Sequence, residues 1–163
     1  MKKIKKDTPH LFLRLGDYEQ YDYIDEHKKI DVETGSVWLL KIGKTINKDF
    51  LKKIVESKGG IILKKSASKG NQFYYADLID INILNDDNAK YPKYYDEYLY
   101  FEGLNIEDVK KNGYWFKISN IREISNDVVS KFIINSNDKS VLDYALKTRV
   151  VHMYIRNCEE ICI

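Results

Sequence analysis

The chain has 163 residues, 44% of them hydrophobic, with 27 Lys and Arg against 25 Asp and Glu. That is one domain's length with enough apolar material for a core, which excludes a disordered or linker-rich chain. Cys158 and Cys162 lie near the end and no apolar run reaches the ~18 residues of a membrane span, so neither a disulfide scaffold nor a membrane protein is expected. The basic start runs straight into Asp7–His10, where a leader would turn apolar, and a cytoplasmic location is the expectation.

Taken in chain order, residues 10–15 predict a strand. Tyr23, Ile24, His27 and Ile30 recur at helical spacing within residues 21–32, and Thr34-Gly35 breaks the pattern. Residues 36–42 predict a strand of buried character, and Gly43-Lys44-Thr45 a turn. Asn47 is placed to cap a helix reaching Ser57, with Phe50, Leu51, Ile54 and Val55 on one face, and Gly59-Gly60 ends it. Residues 61–65 and 72–83 predict a hairpin around the polar loop 66–71, and residues 84–90 a further loop.

Residues 91–112 are Tyr-rich, then acidic, with Gly103 and Asn112-Gly113 as punctuation. Residues 114–124 alternate as a strand, with Tyr114, Phe116 and Ile118 on one face and Trp115, Lys117 and Ser119 on the other. Asn126 or Asp127 caps a short helix. Residues 132–134, a helix over 138–146 and a strand over 150–155 complete the chain. The fold class is α+β, expected as a small twisted β-barrel of five to six strands with two to three helices packed outside. Residues 1–35 are read as an N-terminal extension packed on a domain formed by residues 36–163.

Charge is unevenly spread. Residues 1–70 carry a net +6, residues 71–113 a net −5, and residues 114–163 a net +1. Nine Lys between Lys41 and Lys69 face only Asp49 and Glu56, a field that attracts phosphate. Signatures of enzymes are thin. No Walker or Rossmann glycine loop and no His-Glu-x-x-His motif occurs. His10, His27 and His152 lack metal-ligand spacing, so no metal, cofactor or catalytic residue is assigned. Asp86-Asp87 and Asp96-Glu97 read as solvated loop carboxylates.

Two features rise above this background. Residues 91–101 hold six aromatic side chains in eleven positions, with no clean period. The order of elements after Trp38 is the second: strand, Lys, helix, Gly-Gly, strand, polar loop, strand, aromatic segment, aromatic strand. Residues 57–79, with the polar run Ser66-Ala-Ser-Lys-Gly-Asn71 before Phe73-Tyr-Tyr-Ala76, resemble the central hairpin of YTH and EVE domains. Residues 115–124 are similar to their late strand. Residues 128–149 resemble the segment carrying their Asn/Asp-Lys phosphate contacts, and residues 37–42 their opening strand, which ends in a Lys-Ser pair beside the ligand. The resemblance covers residues 36–155 and implies a PUA-like superfold that captures a flipped, methylated base in an aromatic pocket. The sequence departs from the pattern too: residues 43–58 contain no Trp, and Ile42 replaces the Ser of the pair.

Together these readings assign Lys41, Ser66, Ser68, Asn71, Tyr91, Tyr94, Tyr95, Tyr98 and Trp115 to the base, and Lys44, Lys64, Lys65, Lys69, Lys139 and Arg149 to the backbone. Strand parity places Trp38 in the core with Leu40 and Ile42, and Trp115 on the pocket side. The partner expected is DNA or RNA with a modified base. By analogy of fold, an NTPase or nuclease of a restriction or defence system would join it. Two alternatives stay open. One is a protein-interaction module that uses the Tyr-rich segment as its contact surface. The other is an ASCH-like nucleoside amidohydrolase built on Lys41, Lys44 and Thr45 with Glu97 or Glu102.

Overall fold

The computed structural model describes residues 1–66 and 71–163. Local signals account for most element boundaries. Strand β1 spans Lys3–Ile4 and β2 spans Pro9–Leu15. Helix α1 (Tyr23–Thr34) starts at Asp22, whose carboxylate accepts the Asp25 N–H, and stops at Gly35, left-handed at φ 90°. After β3 (Val37–Lys41), α2 (Lys48–Glu56) is capped by Asn47 as the sequence predicts, through the Phe50 N–H. Strands β4 (Gly60–Lys65) and β5 (Phe73–Asp80) form the expected antiparallel hairpin.

The Tyr-rich segment is helical. It forms α3 (Tyr94–Phe101) and leads into α4 (Ile106–Asn112), with Pro92 just ahead of α3 where a missing N–H costs nothing. The remaining elements are β6 (Tyr114–Ile124), α5 (Asn126–Val129), β7 (Phe132–Ile134), α6 (Val141–Lys147), β8 (His152–Asn157) and β9 (Ile161–Cys162).

Seven strands form one sheet in the order β3-β6-β5-β4-β2-β8-β7, and β1 pairs with β9 in a separate ribbon. The expected barrel is not closed: β3 and β7 are the two edges and share no ladder among the described residues. The outer side of the three-residue β7 is taken up by its own returning chain, with Ile133 bridged to Ser140 and the Ile134 N–H donating to the Lys139 carbonyl at 2.9 Å. More helices form than the two or three expected, because the acidic 91–112 stretch folds into two of them. Residues 1–35 also contribute an internal strand. β2 runs parallel to β4 on one side and antiparallel to β8 on the other.

Strand alternation divides the core into two. Leu11, Leu13, Ile61, Leu63, Trp38 and Phe116 pack beneath α1 to α4. Phe12, Ile62, Phe73, Tyr75, Phe132 and Ile155 pack on the opposite face beside α5 and α6. Trp38 and Trp115 are both fully buried in the first core, at 1% and 2% exposure. Parity fails for Trp115 because α4 covers that end of β6, and its indole N–H donates to the Val109 carbonyl at 2.9 Å. Asp86 is not merely solvated either. It accepts from the Trp38 indole at 3.1 Å and from Lys117 at 2.9 Å, and these bonds lower its pKa.

Candidate functional site

A hollow of about 300 Å³ opens where β2 and β3 end, against α3. Arg14, Leu15, Gly16, Asp17 and Tyr18 form one wall, and Leu40, Lys41 and Ile42 a second. Tyr94, Tyr95 and Tyr98 from α3, with Tyr23 from α1, supply the aromatic wall. Its size falls at the lower end of small-ligand sites.

The rings are organised in layers. Tyr94 stacks on Tyr21 at 4.9 Å and 15° and on Tyr18 at 5.9 Å and 17°. Tyr98 meets Tyr18 edge-on at 5.2 Å and 80°. Tyr95, 3% exposed, anchors the wall from behind. The His27 Nδ1–H donates to the Tyr23 carbonyl at 2.7 Å, which leaves Nε2 to accept the Tyr95 O–H. The Tyr95 oxygen in turn accepts the Leu40 N–H at 3.2 Å, tying α3 to β3. Burial lowers the His27 pKa to about 4, so this network is neutral near pH 7. Burial raises the pKa of Tyr23, Tyr94 and Tyr95, which keeps those phenols protonated. The buried Tyr94 hydroxyl has no hydrogen-bond partner among the described residues.

Cations gather at the same end of the sheet, with different degrees of freedom. Lys41 is buried, and its ammonium donates to the Lys44 carbonyl at 3.2 Å. Burial and then Lys44 lower its pKa. Arg14 donates to the Val150, Ala145 and Thr148 carbonyls, holding the C-terminal end of α6, where a cation complements the helix dipole. Arg149, exposed beside it, adds to burial in lowering the Arg14 pKa.

The structure therefore brings together Lys41, Tyr94, Tyr95 and Tyr98 of the residues expected at the base, and it places others elsewhere. Tyr91 stacks on Tyr95 at 5.9 Å and 11° outside the hollow, under the Lys110 ammonium. Trp115 is core. Ser66 gives its N–H to the Leu15 carbonyl, next to the hollow's first wall, and Asn71 is exposed. Ser68 and Lys69 lie outside the described residues.

Among the expected backbone contacts, Lys44, Lys139 and Arg149 are exposed. Lys64 is 1% exposed and lies over Phe73, and its ammonium donates to the Lys65 carbonyl, so it serves the fold. Lys65 pairs with Asp22 at 2.6 Å, holding the hairpin against the α1 cap. The amidohydrolase set is not assembled. Thr45, Glu97 and Glu102 are exposed, and neither glutamate makes an ion pair with Lys41 or Lys44 among the described residues. Sequence reasoning missed Tyr18 and Tyr23. Their close spacing with Tyr21 was the available signal.

Comparison with family models and with curated proteins finds no match. Among solved structures, the YTH domain of the Zygosaccharomyces rouxii MRB1 protein, in complex with N6-methyladenosine RNA, overlays 94% of this chain and 79% of its own. The sequence identity is 15% and the TM-score 0.32. At that score and identity the overlap fixes neither the fold nor the ligand.

Proposed function

We propose that this protein binds single-stranded or locally unpaired nucleic acid, with one methylated base held in the tyrosine-lined hollow. The carrying observation is the convergence of Tyr18, Tyr94 and Tyr98 with buried Lys41 on one small cavity. Neutral phenol rings offer flat π faces, and stacking on such faces contributes about 1–3 kcal/mol per base. A base reaches them only outside its own stack, which disfavours intact duplex. Burying one added methyl contributes about 0.8 kcal/mol, so a methylated base should bind roughly four-fold tighter than its plain counterpart. The exposed Lys44 and Arg149 near the rim suit the flanking phosphates.

The test is fluorescence titration with short oligonucleotides, each carrying one methylated or one plain base, at two salt concentrations. Preference for the methylated strand, removed by Tyr98→Ala, supports the reading. Equal affinities in wild type and variant sink it. A second reading, a protein contact through the Tyr-rich segment, is favoured by one observation. Tyr100 and Phe101 stand outward at 80% and 67% exposure. Under that reading Tyr100→Ser with Phe101→Ser would abolish a protein complex and leave oligonucleotide affinity unchanged.

A further inference from the structure

We propose that the groove between α2 and α4 carries the sugar–phosphate backbone of the strand whose base enters the tyrosine-lined hollow. The inference rests on the base-binding reading above and names a surface which that reading does not use. The groove encloses about 340 Å³. Lys48, Leu51 and Lys52 of α2 form one wall, and Lys110 and Lys111 of α4 the other. Tyr114 closes it at the start of β6. Four of its lining residues are Lys, and none is Asp or Glu.

One geometric fact connects groove and hollow. Tyr114 is the ladder partner of Lys41, so the end of β6 that closes the groove lies beside the end of β3 that lines the hollow. The groove also lies on its own side of α2. Asn47 and Phe50 face a different hollow of about 510 Å³, beside Asn135 and His152. A strand that left the base site over the β3–β6 end would enter at Tyr114 the groove whose walls carry Lys48 and Lys52.

Structural duties do not account for these cations. Lys2 pairs with Asp77, Lys65 with Asp22 and Lys117 with Asp86, each at 2.9 Å or less. Of the groove lysines Lys110 is engaged, by Glu107 at 3.6 Å and the Tyr91 ring. Lys48, Lys52 and Lys111 are exposed and make no ion pair among the described residues. Lys48 occupies the first residue of α2, where a positive charge opposes the helix dipole. Three free cations along a groove suit a regularly spaced polyanion.

Each phosphate neutralised on a single strand adds about 0.7 to the slope of log K against log salt. Charge reversal in K48E/K52E/K111E should therefore flatten that slope by about 2 and weaken a singly methylated 12-nucleotide strand roughly ten-fold or more at moderate salt. The free methylated nucleoside should bind the variant as it binds wild type, and the melting temperature should not move, because all three side chains are exposed. K48Q/K52Q/K111Q should show the same flattening without charge reversal, and inorganic tripolyphosphate should compete for the strand in wild type only. An unchanged slope in both variants overturns the proposal. Loss of strand affinity when wild type binds no nucleoside retains the groove and overturns the base site. No strand binding by wild type overturns both.

Discussion

The two faces of the central sheet share their strands but differ in what they bury. On the face beneath α5 and α6, Phe12, Ile62, Phe73 and Phe132 meet in an apolar core. On the face beneath α1 to α4, Tyr23, Tyr94 and Tyr95 join the aliphatic side chains, and the tyrosine-lined hollow opens at its end. Each face also buries one His–Tyr pair. The His10 Nδ1–H donates to the Thr8 carbonyl at 2.8 Å and its Nε2 accepts the Tyr75 O–H at 3.0 Å, just as the His27 Nδ1–H donates to the Tyr23 carbonyl and its Nε2 accepts the Tyr95 O–H. The pairs are alike, but the surroundings are not. Tyr75 is 0% exposed with its hydroxyl partnered, whereas the Tyr94 hydroxyl finds no partner among the described residues, a polar cost borne at the hollow's wall. Both faces bury polar groups, Lys64 and Asn157 on the first and Asp31 and Lys41 on the second; what sets the second apart is the stack of tyrosine rings at its hollow.

Acid should strain both faces, and by the largest amount. Burial is the leading cause that lowers the pKa of His10 and of His27 from 6.5 to about 4. Between those values the unfolded chain binds the extra protons, so stability present above pH 6.5 is lost as pH falls toward 4. At about 1.4 kcal/mol per pH unit for each histidine, two units cost about 5 kcal/mol. Urea unfolding at pH 7 and pH 4.5 measures this. A loss half as large would mean that one face alone resists protonation.

Core truncation comes next. Trp38→Ala and Trp115→Ala should each cost about 3–5 kcal/mol, since both indoles are buried on the hollow's face. Thermal melts showing Trp115→Ala near wild type would return that residue to the pocket side. Phe132→Ala on the face beneath α5 and α6 should cost a similar ~3–5 kcal/mol and change nothing specific in ligand binding.

Tyr98→Ala should separate the faces most cleanly. Tyr98 is only partly buried, so its loss should leave the melting temperature nearly unmoved while weakening methylated-strand binding by about 1–3 kcal/mol. Stability falling in step with affinity would make the ring core. The smallest effect belongs to Lys65→Ala. Its pair with Asp22 is partly exposed, and about 0.2–1 kcal/mol of stability is at stake, read by chemical denaturation at low and high salt. A larger drop in strand affinity than in stability would restore Lys65 to the backbone contacts.

Local structure was largely legible in the sequence. Asn47 caps α2, β4 and β5 pair as the predicted hairpin strands although β5 stops at Asp80, short of residue 83, and β6 runs over residues 114–124, because caps and strand periods act over a few residues. Tyr94, Tyr95 and Tyr98 were likewise singled out by crowding and Lys41 by the resemblance, and they meet at one hollow. The tertiary structure decided the rest. Strand parity could not tell that α4 covers Trp115, since both sides of β6 are buried at that end. Whether Lys64 faced solvent or Phe73 depended on the strands beside it. Tyr18 reaches Tyr94 only because the chain leaving β2 and helix α3 form two walls of one hollow, bringing residues distant in the chain into ring contact. Sequence periodicity encodes which side of an element is apolar, and the partner that covers that side is chosen by long-range packing.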